Sequence, residues 1–216
     1  MYEIILFDLD GTLTDPKIGI TSSVQYALQK MGIKEEDPDV LIPFIGPPLL
    51  ASFKELYHMS DQEAVQAIGY YRERFSVTGL YENKVYAGMG ELLASLKSQG
   101  KKLIVATSKP TEFSVKILEH FGLKQYFAAI VGSNLDGTRT EKSDVIEFAL
   151  SGENITDLSK VVMIGDRKYD ISGAKKNHID VIAVAYGYGS QEELAAADPN
   201  YIVSSVSELA SLLGRL

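Results

Sequence analysis

The sequence predicts an α/β protein: a parallel β-sheet covered by helices on both faces, with an all-helical segment inserted after the first strand. Three observations predict it. Short continuous apolar runs, several rich in β-branched residues, recur at 3–7, 103–106, 128–131, 161–164, 181–185 and 201–203. Most lie between segments with helical spacing, at 88–99, 112–121, 141–150, 171–177 and 205–213. Residues 15–84 hold no convincing strand. Strands that are apolar along their whole length are buried on both faces, and that is how a parallel sheet lies between two helical layers.

Taken in order, the first run, Ile4–Phe7, ends abruptly at Asp8. Helical patterns follow near 17–31, 48–57 and 61–78, divided by Asp37–Pro38 and by Gly46–Pro47–Pro48. A strand followed by so long a helical stretch is not a normal crossover. Residues 15–84 are therefore expected to form an inserted helical domain, and residues 1–14 with 85–216 the sheet domain. The hinges are expected near Thr14–Lys17 and Tyr81–Gly88. Beyond them, Gly100 and Gly122 stand where helices should stop. Ser190 with Glu193 forms a capping-box pattern before Leu194.

Bulk properties narrow the function. The 216 residues, 45% of them hydrophobic, suffice for a sizeable core. A net charge of −8 disfavours a basic surface for a nucleic-acid polymer. The pairs Lys101–Lys102 and Lys175–Lys176 read as solvated helix ends. With no cysteine there is neither disulfide nor thiolate chemistry, as fits a reducing cytoplasm. The N-terminal apolar run is too short for a signal peptide, and no stretch approaches a membrane span. A soluble, cytoplasmic protein with no membrane partner is expected.

The chemistry-bearing residues cluster where strands end. Asp8 and Asp10 follow the first strand, and a side-chain period of two points both to the same side. Gly11 then allows a sharp turn and a close backbone approach to a ligand. Two carboxylates this close need a bound cation, or one must keep its proton. Alone, the pair could be a plain Asp–Gly turn capping loose amides. The other strands weigh against that reading. Run 103–106 ends in Thr107–Ser108–Lys109, and run 161–164 in Gly165–Asp166 with Asp170 beyond; Lys142 opens a helical segment after loop 132–140. In open parallel sheets ligands bind beyond the carboxyl ends of the strands.

The segments "FDLDGTLTD", "VATSKPT", Lys142 in "TEKSDVI", and "MIGDRKYD" resemble, in order, the four motifs of the haloacid-dehalogenase (HAD) superfamily of phosphohydrolases. The resemblance runs the length of the chain. "ILEHFGLKQYF" and "AYGYGSQEELAAADPNYIVSSVSEL" are similar to the phosphoglycolate-phosphatase-like branch; "IGPPL", "TEKSDVIEFAL" and "GDRKYDISGA" are similar to a 5′-nucleotidase-like subgroup. Ser143 stands where phosphoglycolate phosphatases carry the proline of a Lys-Pro pair.

The resemblance implies a three-layer, Rossmann-like HAD core with a helical cap, and a Mg²⁺-dependent phosphatase acting on a small phosphorylated metabolite. It makes Asp8 the nucleophile that forms an aspartyl-phosphate. Mg²⁺ would be held by the Asp8 carboxylate, the Asp10 backbone carbonyl and Asp166, with Asp170 one step behind. Lys142 and Thr107 would stabilise the phosphoryl group, with Gly11 and Ser108 beside it. Asp10 would be the general acid, then base. Arg72 or Arg74 could reach a second anionic group of the substrate, or form a solvated helix face. His58, His120 and His178 are scattered and suggest no role. Gly187 and Gly189 lack the spacing of a dinucleotide fingerprint. The rival readings are a β-phosphoglucomutase-like phosphomutase, an inorganic pyrophosphatase and a silent binding protein; a receiver module fails on size and on the helical insert.

Overall fold

A computed structural model describes residues Met1–Leu216. In chain order the strands are β1 (Ile4–Phe7), β2 (Thr14–Asp15), β3 (Lys84–Val85), β4 (Lys102–Pro110), β5 (Ala129–Ser133), β6 (Val161–Gly165), β7 (Asp180–Val184) and β8 (Tyr201–Val203). The helices are α1 (Lys17–Lys30), α2 (Leu49–Tyr57), α3 (Asp61–Arg74), α4 (Met89–Ser98), α5 (Thr111–His120), α6 (Lys142–Gly152), α7 (Lys168–Lys176), α8 (Gln191–Ala197) and α9 (Val206–Leu213). The chain divides into two compact units, Met1–Asp15 with Val85–Leu216, and Pro16–Lys84.

The first unit is built on a six-stranded sheet of order β5-β4-β1-β6-β7-β8, parallel throughout. Its strands are apolar on both faces because both are covered. Leu6, Ile104, Met163 and Val181 pack with Val145, Ile146 and Ala149 of α6 and with Ile171 and Ala174 of α7. Their neighbours Ile5, Phe7, Leu103 and Val105 are equally buried and, by strand alternation, face the other way. On that side α4 and α5 lie against β4, and Phe127 meets Phe7 edge-on. β1 lies between β4 and β6, so the chain runs outward in one direction and later in the other. That reversal opens a crevice at the carboxyl end of β1.

Several boundaries differ from the sequence reading, each for a local reason. β4 runs on to Pro110 instead of ending at 106, through a register shift against β5 between Ala106 and Pro110. Ser190 takes the Glu193 N–H, but the Glu193 carboxylate goes to Arg167 and the Lys168 N–H, so the capping box is only half made. A reciprocal box forms instead at Ser60 and Glu63, at the start of α3. Gly100 and Gly122 do end helices, with φ of 77° and 66°. Lys102 opens β4 rather than ending a helix, and pairs with Glu153.

The second unit contains α1, α2 and α3, with a 3₁₀ segment at Pro38–Phe44. β2 and β3 form a two-residue pairing at the unit boundary that the sequence did not foretell, since two residues carry no periodicity. Phe44 stacks edge-on against Phe53, and Tyr71 lies over Phe75. α3 stops at Arg74 and gives way to a π-helical turn, Phe75–Gly79, where the pattern predicted helix to 78. Gly19 and Gly79 pass so closely that a Cβ on Gly19 would lie 2.1 Å from the Gly79 carbonyl oxygen. No helix of the chain is long and apolar enough to cross a membrane.

Candidate active site

The end of β1 stays tied to the sheet: the Asp8 N–H donates to the Ile164 carbonyl at 2.9 Å. The chain then turns at once, with the Leu13 and Thr14 N–H groups both reaching the Leu9 carbonyl. Gly11 has φ of +80°, and a Cβ there would sit 2.1 Å from Asp166 Oδ2. Only glycine meets both demands. At the end of β6, a Cβ on Gly165 would lie 2.2 Å from Asp170 Cγ. The missing side chain lets Asp170 fold back onto the strand end. Its Oδ2 accepts the Arg167 N–H at 3.0 Å, in the first turn of α7, where a carboxylate suits the helix dipole.

Lys142, the first residue of α6, supplies a buried cation. Its Nζ lies 2.8 Å from Asp8 Oδ1 and 2.8 Å from Asp170 Oδ1, and donates to the Ala106 carbonyl at 3.1 Å. Carboxylate oxygens of Asp8, Asp166 and Asp170 lie within 4.8 Å of one another. Asp166 is fully buried; its Oδ2 accepts the Tyr188 N–H at 2.7 Å and its Oδ1 has no partner. Burial and the charges of Asp170 and Asp8 hold the Asp166 pKa well above the carboxylate range. Burial also lifts Asp170, with Lys142 opposing and Asp8 adding, to about 6. For Lys142, burial works against the charged form, but Asp170 and Asp8 outweigh it and raise the pKa.

One lysine does not balance three buried carboxylates. The all-oxygen donor set, the orphaned Asp166 Oδ1 and the glycine-lined cradle fit a hard divalent cation such as Mg²⁺.

Of the residues singled out from the sequence, the fold thus gathers Asp8, Asp166, Asp170 and Lys142 at one point, with Gly11 against Asp166. The Asp10 carboxylate belongs to no such trio. It is buried, and its Oδ2 pairs with Lys109 Nζ at 2.7 Å while Oδ1 has no partner. Burial raises its pKa and Lys109 pulls it partly back. Thr107 is buried at the end of the regular part of β4, and its Oγ1 accepts the Lys109 N–H at 3.3 Å. The Ser108 carbonyl accepts the Ser133 hydroxyl at 2.8 Å. Arg72 is half-buried on α3 of the helical unit. Arg74 is committed within that unit to Glu82, in a two-pronged contact at 2.7 and 2.9 Å. His58 and His178 take left-handed backbone conformations, and His58 closes α2.

Two features escaped the sequence reading. Lys109 is one; its signal was its period-two spacing from Thr107. The other is the loop Tyr186–Gly189. A Cβ on Gly187 would lie 2.4 Å from Asp166 Cβ and from the Gly11 carbonyl oxygen, and one on Gly189 2.1 Å from the Asp166 carbonyl oxygen. These glycines are there because Asp166 leaves no room. Tyr188 also donates its hydroxyl to Asp15, and Tyr186 donates to the Thr12 carbonyl at 3.0 Å.

Known proteins share this fold. A predicted phosphatase from Clostridium acetobutylicum superposes with a TM-score of 0.97 at 53% identity, covering 100% of both chains. The 5′-nucleotidase of Pseudomonas aeruginosa is 49% identical over 212 residues, 98% of this chain and 96% of that one. The tyrosine-protein kinase PtkA of Mycobacterium tuberculosis is 36% identical over 215 residues, 98% of this chain and 72% of that one. The model of the haloacid dehalogenase-like hydrolase family matches residues 5–184, the span that carries Asp8, Asp10, Thr107, Lys142, Asp166 and Asp170. The chain therefore belongs to the haloacid dehalogenase-like hydrolase family.

Proposed function

We propose that this hydrolase is a Mg²⁺-dependent phosphatase acting on a small phosphomonoester, nucleoside monophosphate or phosphoglycolate in type, through an aspartyl-phosphate on Asp8. One observation carries the reading: a single buried ammonium, Lys142, bridges Asp8 and Asp170 beside an under-partnered Asp166. In this reading Asp8 is the nucleophile, Lys142 the fixed cation and the three carboxylates the hard-metal donor set. The 5′-nucleotidase name of a relative 49% identical supports the nucleotide side.

An oxygen of Asp8 attacks phosphorus and the ester oxygen leaves. Lys142 and the Thr107 hydroxyl hold the phosphoryl oxygens, so charge developing there meets donors already in place. Asp10 gives its proton to the departing oxygen from Oδ1, while Lys109 holds Oδ2. Water then attacks the phospho-enzyme and returns a proton to Asp10. Inorganic phosphate leaves and Asp8 is regenerated. Asp8 and Asp166, with Asp170 behind them, would hold the cation, which would supply positive charge to let an anionic nucleophile approach a phosphate dianion. The helical unit serves as the cap in this reading and bears the groups that select the leaving group, Arg72 among the candidates.

A second reading rests on the relative named a tyrosine-protein kinase: the phosphoryl group passes from Asp8 to a hydroxyl acceptor other than water, as it also would in a phosphomutase. A phosphate-release panel over small phosphorylated metabolites with Mg²⁺, with Asp8→Asn as the blank, tests both. Release from nucleoside monophosphates or phosphoglycolate, lost in the blank, is the expected result. Labelled phosphoryl appearing on an organic acceptor without free phosphate selects the second reading. No Asp8-dependent turnover of any kind defeats both.

A further inference from the structure

We propose that Lys109 is a positioning residue that keeps the Asp10 carboxylate out of the metal cluster and so reserves it for proton transfer. The second half of that statement rests on the function proposed above; the first stands on geometry alone.

Asp8 and Asp10 stand two residues apart beyond the same strand end, yet Asp10 does not join the carboxylates that gather around Asp8. Asp8, Asp166 and Asp170 converge, while Asp10 Oδ2 lies 2.7 Å from Lys109 Nζ, with both side chains almost wholly buried. A buried ion pair of this kind is poor evidence for stability, and register or orientation is its better-attested use.

The fold spends several residues on aiming Lys109. Against β5, the stretch of β4 from Ala106 to Pro110 spans only Val131 to Ser133, so β4 bulges outward over Thr107, Ser108 and Lys109. Bulges redirect side chains, and they are frequent beside active sites. β5 is shaped to hold this one. A Cβ on Gly132 would lie 2.2 Å from the Lys109 carbonyl oxygen. The Gly132 N–H donates to Thr111 Oγ1 at 2.9 Å, and Ser133 Oγ donates to the Ser108 carbonyl at 2.8 Å. The Lys109 N–H donates to Thr107 Oγ1. The bulge that carries Thr107 therefore also delivers Lys109 to Asp10.

Without Lys109, the Asp10 carboxylate is released from its partner and, on turning to the cation, would add an anionic oxygen donor, and ligand charge sets the affinity of such sites. The test is a Mn²⁺ titration of the full chain, followed by electron paramagnetic resonance without substrate, on a double-mutant cycle. Lys109→Met is expected to tighten Mn²⁺ by about tenfold. Lys109→Met in an Asp10→Asn background, which removes both charges of the buried pair together, is expected to leave it unchanged. Lys109→Arg, which keeps a cation, is expected to bind Mn²⁺ as the parent does and to restore most of the kcat that Lys109→Met loses, with KM little moved. Equal tightening in both backgrounds would show that Lys109 acts only as a distant charge; no tightening in either would show that it does not restrain Asp10. Both results overturn the proposal. If Asp10→Asn keeps full turnover, the general-acid role fails, yet the Mn²⁺ cycle still decides whether Lys109 holds Asp10 away.

Discussion

Asp166→Asn should stabilise the metal-free protein while removing its response to Mg²⁺. Asp166 has carboxylate neighbours Asp8 and Asp170 within 4.8 Å. At that distance each pair of unit charges repels by about 3.5 kcal/mol at an effective dielectric of 20. Lys142 offsets part of this, since it pairs with Asp8 and Asp170. Burial, the largest influence on Asp166 and Asp170 alike, adds to what remains. Asp170 titrates at about 6 rather than in the usual range, so ionising it at pH 8 costs the fold roughly 3 kcal/mol. Both shifts are upward. The fold is therefore favoured below the ordinary carboxylate range and loses stability as pH rises through 6. Neutralising residue 166 removes its own burial cost and its repulsion of Asp8 and Asp170, part of which Lys142 already offsets, and should recover roughly 2–3 kcal/mol at pH 8, or about 5–10 °C in Tm for a chain of this size. It should recover little near pH 4. The asparagine carbonyl can still accept the Tyr188 N–H, so no new orphan is created there. Thermal melts at both pH values, in EDTA and in Mg²⁺, read the outcome. A variant that melts below the parent in EDTA at pH 8, or that keeps the parental Mg²⁺ shift, would refute the account of the cluster as a repulsive cage built for a cation.

Three further outcomes follow from the same geometry. Lys142→Met leaves two buried carboxylates without their cation and should cost roughly 3–5 kcal/mol at pH 8 by denaturant unfolding, less at pH 5 where Asp170 takes up a proton. Asp10→Asn should lower kcat by about 10²–10⁴-fold, while the Mg²⁺-dependent rise in Tm persists; steady-state kinetics beside melts separate the two. Gly187→Ala forces a Cβ to within 2.4 Å of Asp166, and should weaken Mg²⁺ binding, measured by titration, and lower kcat at least tenfold. Gly69→Ala, on an open face of α3 with nothing within 4 Å, is its control and should be neutral or stabilising by up to about 1 kcal/mol.

The sheet and most helices were legible because burial on both faces writes itself as continuous apolar runs, and amphipathic faces as a 3.6-residue period. The elements that were misjudged are those governed by contacts distant in sequence. The extension of β4 to Pro110 depends on Gly132 and Ser133 across the ladder. The end of α3 at Arg74 coincides with the passage of Gly79 against Gly19. Glu193 abandons its capping box because Arg167 reaches it first.

At the site the division is similar. By itself the sequence determined the acidic pair after β1, the hydroxyl of Thr107 after the second apolar run, the lysine at 142 and the acids at 166 and 170, because each stands at a strand end or helix start that periodicity marks. Only the tertiary structure decided how they divide: Asp8, Asp166 and Asp170 to one cluster around Lys142, Asp10 to Lys109, and the glycines at 187 and 189 to making room for Asp166. The physical reason is that carboxylates are sorted by which buried cation they meet and by which backbone leaves them space. Both are facts about neighbours in three dimensions that no local pattern encodes.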